Sequence, residues 1–227
     1  MSVIEGAGLL SILGIGFILG IKHAIEPDHV IAVSTVAGQS KKWWKSSLTG
    51  VYWGIGHTAT LFLTGLCILL LKGEIPEVWA MSLEFLVGIM LVHFGISAII
   101  SLTKNHENVQ GNRHSQNGSP VPYARPMFMG FIHGLAGSAA MALLTLSTVK
   151  SVWEGALYIL IFGAGTIIGM LCFTTILGIP FVVSSNNIRI NKALRKITGG
   201  ISAVFGVYYM YRLGVTEGLF ILWNQIL

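Results

Sequence analysis

Residues 6–38 form one long apolar stretch with a single interruption, Lys22-His23-Ala24-Ile25-Glu26-Pro27-Asp28-His29, and that interruption limits what the chain can fold into more than any other feature. At 1.5 Å per residue, a straight helix of this length would be a rod of about 50 Å against a hydrocarbon core of about 30 Å. Pro27 supplies a break: it has no N–H for the carbonyl of His23, its ring clashes with that carbonyl, and it pushes Glu26 out of helical geometry. A discontinuous first helix is predicted. Unwound backbone survives in lipid only where protein or a watery cavity satisfies its freed polar groups. Ionisable side chains at that depth cost about 2.5–3.5 kcal/mol each. Two imidazoles and two carboxylates beside the break therefore point to an ion path, a proton relay or a cofactor site.

The remaining chain agrees with a bilayer. Of 227 residues, 53% are hydrophobic and 10% charged, against about 25% charged in soluble domains. The fold class expected is an all-α integral membrane protein. Small-residue spacings such as Gly16-xxx-Gly20, Gly50-xxx-Gly54, Gly130-xxx-Gly134 and Gly165-xxx-Gly169 let helix backbones approach closely in lipid. They permit a homo-oligomer without requiring one. The net charge of +5 does not indicate nucleic acid, because the basic residues fall in short loops. Cys67 and Cys172 are isolated in apolar runs and are expected in the core, with no disulfide or thiolate site. With Glu5 ahead of the first apolar stretch and no basic lead, no cleaved signal peptide is expected.

About six spans are predicted, near residues 6–38, 47–71, 79–102, 127–149, 153–183 and 197–213, with Pro180 marking the end of the fifth and an apolar tail over 215–227. The chain divides into a first three-helix half (1–102), a polar loop rich in Asn, Gly and Ser (103–126) and a second half with the tail (127–227). Lys41-Lys42-Trp43-Trp44-Lys45 and the segment 184–196, which carries Arg189, Lys192, Arg195 and Lys196, are expected as basic loops. Together with the 103–126 loop they would face the cytoplasm and leave both termini outside. Gly20-Ile21-Lys22-His23-Ala24 resembles Gly130-Phe131-Ile132-His133-Gly134, and Gly88-Ile89 through Val92 resembles Gly200-Ile201 through Val204. With three spans per copy, such a repeat would be inverted, the arrangement of transporters with midplane sites.

Five or six steps of about 100° place Asp28 and His29 about 120–140° around a straight helix from His23. A break at Pro27 can bring the three together, and the carbonyl end of the first half-helix suits a cation. His57 and His93, on separate spans at similar depth, are candidates to complete a metal site, with Glu26 and His133 as further candidates. Imidazoles with a carboxylate and no thiolate suit Ni²⁺, Co²⁺, Zn²⁺ or Fe²⁺ rather than Ca²⁺ or Mg²⁺. A lone membrane histidine more often packs by hydrogen bonding than binds metal, which weighs most on His93 and His133. Glu84 is expected at the interface. His106, Glu107 and His114 are expected in solvated loop.

His23-x4-Asp28-His29 resembles the H-x4-D-H signature of the nickel/cobalt transporter superfamily, and Gly56-His57-Thr58 resembles the motif on that family's next span. The run Gly130 to Ala139 is similar to the branch of urease-accessory nickel permeases. The resemblance implies Ni²⁺ or Co²⁺ as cargo with His23, Asp28, His29 and His57 in its recognition, in a cell membrane and in the service of urease maturation. The chain is shorter than the eight-span members and lacks the threonine- and glutamate-bearing motif they carry after the midpoint.

No permanently bound cofactor and no enzyme activity are expected. A Walker-type loop is absent, and His23-Ala24-Ile25-Glu26 lacks the H-E-x-x-H spacing of a zinc protease. Gradient- or potential-driven uptake is the expectation, with metal efflux by the same ligands as one alternative. A membrane haem protein with His57 and His93 as axial ligands is the alternative from a different class. Protons compete with metal for imidazole nitrogen, so transport is expected to fall as pH drops through about 6.

Overall fold

The computed structural model describes residues 3–37, 42–71, 76–104, 123–149 and 151–226. His106, Glu107, His114 and most of the polar central loop lie outside them. Among the described residues there are eight α-helices and no strand: α1 (Val3–Ala24), α2 (Pro27–Ala37), α3 (Trp43–Leu71), α4 (Glu77–Lys104), α5 (Ala124–Thr148), α6 (Val152–Val183), α7 (Ile188–Tyr211) and α8 (Leu219–Ile226). The chain is a multi-pass membrane protein. By length and apolarity alone α3, α4 and α6 can each cross a bilayer, and the bent pair α1–α2 is a fourth candidate, short of the six expected.

The break falls where Pro27 requires it, and α1 and α2 meet at 56°. The Ile25 and Glu26 amides close the end of α1 by donating to the carbonyls of Lys22 and His23 at 3.1 Å each, and Val30 N donates to Glu26 O at 3.0 Å to start α2. The carbonyl that Pro27 cannot serve thus receives the Glu26 amide instead.

Other boundaries depart from the sequence reading. Trp43, Trp44 and Lys45 belong to the first turn of α3 rather than to a loop. The α6 helix, by contrast, ends at Val183 as expected for the fifth span, with Pro180 inside its last turn. Arg189, Lys192, Arg195 and Lys196 are helical, because Asn187 caps α7 ahead of them by accepting from Ile190 N at 3.2 Å. A π-turn over Arg212–Thr216 follows α7, and the tail forms the short helix α8. Cys67 and Cys172 are free and lie on exposed faces, not in the core. A helix that is apolar all round offers no stripe by which to tell its inner side.

Packing follows the glycines. Helix α3 lies between α5 and α6, α1 lies along α6, and α4 along α7. A Cβ on Gly20 would strike the carbonyl of Phe162, and one on Gly130 the carbonyl of Trp53. The corresponding amides behind those carbonyls belong to Thr166 and His57. Gly16 meets Tyr158 as Gly20 meets Phe162, so α1 and α6 run parallel, as do α3 and α5 where His57 meets Gly130 and Gly134. Gly88 meets Gly206 and Gly95 meets Gly199, so α4 and α7 run antiparallel; Gly50 by Thr174 and Gly65 by Ile159 make α3 and α6 antiparallel.

Gly20→Ala and Gly130→Ala should each destabilise the fold by about 1–3 kcal/mol, since backbone rather than a mobile side chain must give way. Gly200, with nothing near its missing Cβ, is the control. Thermal unfolding of the purified protein in detergent should separate Gly200→Ala from the other two.

Candidate metal centre

His23 ends α1 and Asp28 and His29 open α2, so the 56° bend turns residues from both sides of the break toward one point. The rings of His23 and His29 lie 4.4 Å apart, a contact the straight-helix geometry forbids. His57 arrives from α3, with Nε2 3.1 Å from His23 Nε2. His133 arrives from α5 and donates from Nε2 to Asp28 Oδ2 at 2.6 Å, and its ring sits 4.3 Å from that of His29. Four helices thus bring five candidate donors together.

The hydrogen bonds determine which nitrogens remain bare. An ionised carboxylate only accepts, so Asp28 Oδ2 receives protons from His29 Nδ1, at 3.1 Å, and from His133 Nε2. Glu26 Oε2 likewise accepts from His23 Nδ1 at 2.8 Å. His29 Nε2, His57 Nδ1 and His133 Nδ1 are then left buried without a hydrogen-bond partner. An unanswered buried polar atom costs about 1–3 kcal/mol, and three in one place call for an occupant. His29, His57 and His133 are 1%, 0% and 2% exposed, so lipid does not reach them.

Trp53 closes the inner side, its ring 4.8 Å from His29, 5.2 Å from His133 and 5.7 Å from His57. On the other side a cavity of about 390 Å³ opens, bordered by His23, Glu26, Asp28, His29 and His133, with Lys22, Glu84 and Tyr209 farther along its wall. Two overlapping groups have the spacing of a metal site, His23–His29–His57 and Asp28–His29–His133, with one donor atom from each residue within 4.8 Å of the others.

His93 is not brought in: it sits on an exposed face of α4, beside Phe94 at 5.4 Å between ring centroids. His57, its partner in the haem reading, is by contrast fully buried. Glu84, expected at the interface, instead lines the cavity and accepts from the Tyr209 hydroxyl at 3.1 Å. Sequence reasoning missed Trp53 and Tyr209, which carry no motif. The clue to Trp53 was its place one helical turn before His57, on the same face.

A profile of the family described as the cytochrome c biogenesis protein transmembrane region matches residues 30–208. The match includes His57 and His133 but begins just after His29. The urease accessory protein UreH of Bacillus sp. strain TB-90 is 63% identical over 221 residues, covering 95% of this chain and 97% of that protein. A candidate nickel/cobalt efflux system of Methanocaldococcus jannaschii is 30% identical, covering 85% of this chain and 88% of its own length. The chloroplast protein FOR GROWTH AND FERTILITY 1 of Arabidopsis thaliana is 28% identical over 76% of this chain and 51% of its own. None of these names describes an enzyme. No solved structure is significantly similar.

The geometry separates two histidines that look alike in sequence. His133→Ala should weaken Ni²⁺ binding to the purified protein about tenfold or more, whereas His93→Ala should leave it unchanged. Equilibrium dialysis in detergent checks both.

Proposed function

The chain belongs to the family of the urease accessory protein UreH and to that of the cytochrome c biogenesis transmembrane region, and on that premise we propose that it is a secondary permease carrying Ni²⁺ or Co²⁺ into the cytoplasm. A nickel/cobalt membrane transport role agrees with the relatives' names. The observation that carries the finer reading is the convergence of His23, Asp28, His29, His57 and His133 on bare, buried nitrogens beside a cavity. Neutral imidazoles with one carboxylate favour borderline divalent metals over Ca²⁺ or Mg²⁺.

In this reading the ion enters the cavity, loses water to Asp28 and His29, and passes toward His57. The carboxylates of Glu26, Asp28 and Glu84 outnumber the one ammonium, Lys22, on the cavity wall, so a cation is attracted. No ATP-binding loop is present in the sequence. The membrane potential supplies about 4.6 kcal/mol for a divalent ion at −100 mV, enough for inward transport without a coupled ion.

Helices α5 and α7 complete six spans in this reading, and the two halves are inverted copies. Support comes from the mirrored contacts, Gly20 on Phe162 and Thr166 against Gly130 on Trp53 and His57. It comes also from the antiparallel pairing of α3 with α6 and of α4 with α7. Rocking of one half on the other would expose the centre to each side in turn. The cell membrane is the setting, with both termini outside.

Cells expressing the chain should accumulate more radiolabelled Ni²⁺ or Co²⁺ than cells without it, and His23→Ala or Asp28→Ala should remove the difference. Lower accumulation with the chain would favour efflux, the direction in the Methanocaldococcus relative's name. No difference in either direction would end the transport reading. Alkaline phosphatase fused after Leu227 should be active, as it is only outside the cytoplasm.

A further inference from the structure

We propose that the centre is two overlapping metal stations rather than one site, and that His29 hands the ion from Asp28–His29–His133 to His23–His29–His57. The proposal rests on the transport reading above.

Geometry argues against a single site. Two ligand atoms on one ion, each bonded at about 2.1 Å, lie no more than about 4.2 Å apart. Each triad meets that limit with small side-chain shifts, since its donor atoms lie within 4.8 Å of one another. The five residues do not form one such group among the described residues. Three protein donors leave one tetrahedral position for water, the condition for an ion to exchange rather than stay.

The stations differ in charge and access. Asp28, His29 and His133 all border the cavity, and Asp28 carries the negative charge. Of the second triad, His23 and His29 also border it, while His57 lies behind its wall and is fully buried. The first triad suits capture of a hydrated cation, and the second draws it inward behind the cavity wall.

His29 can serve both because its two nitrogens are distinct. Before metal arrives, Nδ1 donates to Asp28 and Nε2 is bare. An ion at the first station takes the place of the protons on His29 Nδ1 and His133 Nε2. Through cavity water these move to the opposite nitrogen of each ring, so no net proton is gained or lost. When the ion passes on, the His29 proton returns to Nδ1, facing Asp28, and Nε2 holds the metal. Asp28 then orients a metal-bound imidazole. Glu26 does the same for His23, holding Nδ1–H at 2.8 Å, and the proton that His57 Nε2 donates to His23 Nε2 moves to the bare His57 Nδ1 as the ion takes its place.

The outer members of the two stations, His23 and His133, occupy matching places in the two halves, on α1 and α5 three residues after Gly20 and Gly130. Relative motion of the halves would open the first triad, which takes His133 from the second half, and leave the second triad, drawn wholly from the first half, intact.

Co²⁺ titration of the full-length protein in detergent tests this through the visible d–d absorption. His23→Gln and His133→Gln should each still bind Co²⁺, with spectra that differ from each other and combine to reproduce that of the unmodified protein. His29→Gln should weaken binding at least a hundredfold, and both single variants should lose radiolabelled Ni²⁺ transport. Identical spectra, or loss of binding on removing either His23 or His133, would overturn the two-station arrangement in favour of one site. Should a variant fail to fold, cadmium NMR of the unmodified protein decides: two resonances support two stations, and one sharp resonance refutes them. If the unmodified protein neither binds Co²⁺ nor moves Ni²⁺, the transport reading itself fails, a result distinct from the single-site outcome.

Discussion

The centre depends on a helix that ends at Ala24 and begins again at Pro27 inside an apolar protein. A break there exposes backbone groups that lipid cannot satisfy, and the cost is limited because the Ile25 and Glu26 amides fold back onto the end of α1. The partial charges of both half-helices are left at the site, negative where α1 ends beside His23 and positive where α2 begins beside Asp28. The first favours a cation and the second an ionised carboxylate. A continuous helix would have carried His23 and His29 to different sides and offered neither.

The glycine contacts hold that break in register with its partners. Gly20 lies one turn before the break and packs on the carbonyl of Phe162, while Gly130 packs on Trp53, the residue whose ring closes the inner side of the centre. Where backbones touch, a helix resists sliding along its neighbour and turning about its own axis but can still tilt about the contact, so His57 and His133 approach His29 along rigid elements. This is the preorganisation that a small set of imidazole and carboxylate donors needs, since a ligand displaced by an ångström no longer binds.

The contact of Gly20 with α6 matches that of Gly130 with α3 in backbone but not in chemistry. Thr166 occupies the place on α6 that His57 occupies on α3, and its hydroxyl bonds to the carbonyls of Gly20 and Phe162 instead of facing an ion. The second half contributes His133 alone to the donor set. The family match over residues 30–208 takes in His57 and His133 but not α1, His23, Asp28 or His29. The cluster of candidate donors comes from the short stretch around Pro27 together with His57 and His133.

Much of this was legible in the sequence because its causes are local. Apolar length decides that the chain enters a bilayer, a missing N–H decides that the first helix breaks at Pro27, and imidazole with carboxylate decides which metals suit. His57 was legible from its flanking Gly56 and Thr58. What the sequence did not determine was which way each helix faces. In helices apolar on every side, His93 and His133 look equivalent, as do Glu84 at an interface and Glu84 on a cavity wall. Only the contacts between distant segments decide them: α5 pressed on α3 through Gly130 and Gly134 turns His133 inward, while α4, packed along α7, leaves His93 outside. Lipid is as apolar as the protein interior, so burial gives no local signal there, and orientation comes from the shapes of surfaces that meet only in the folded structure.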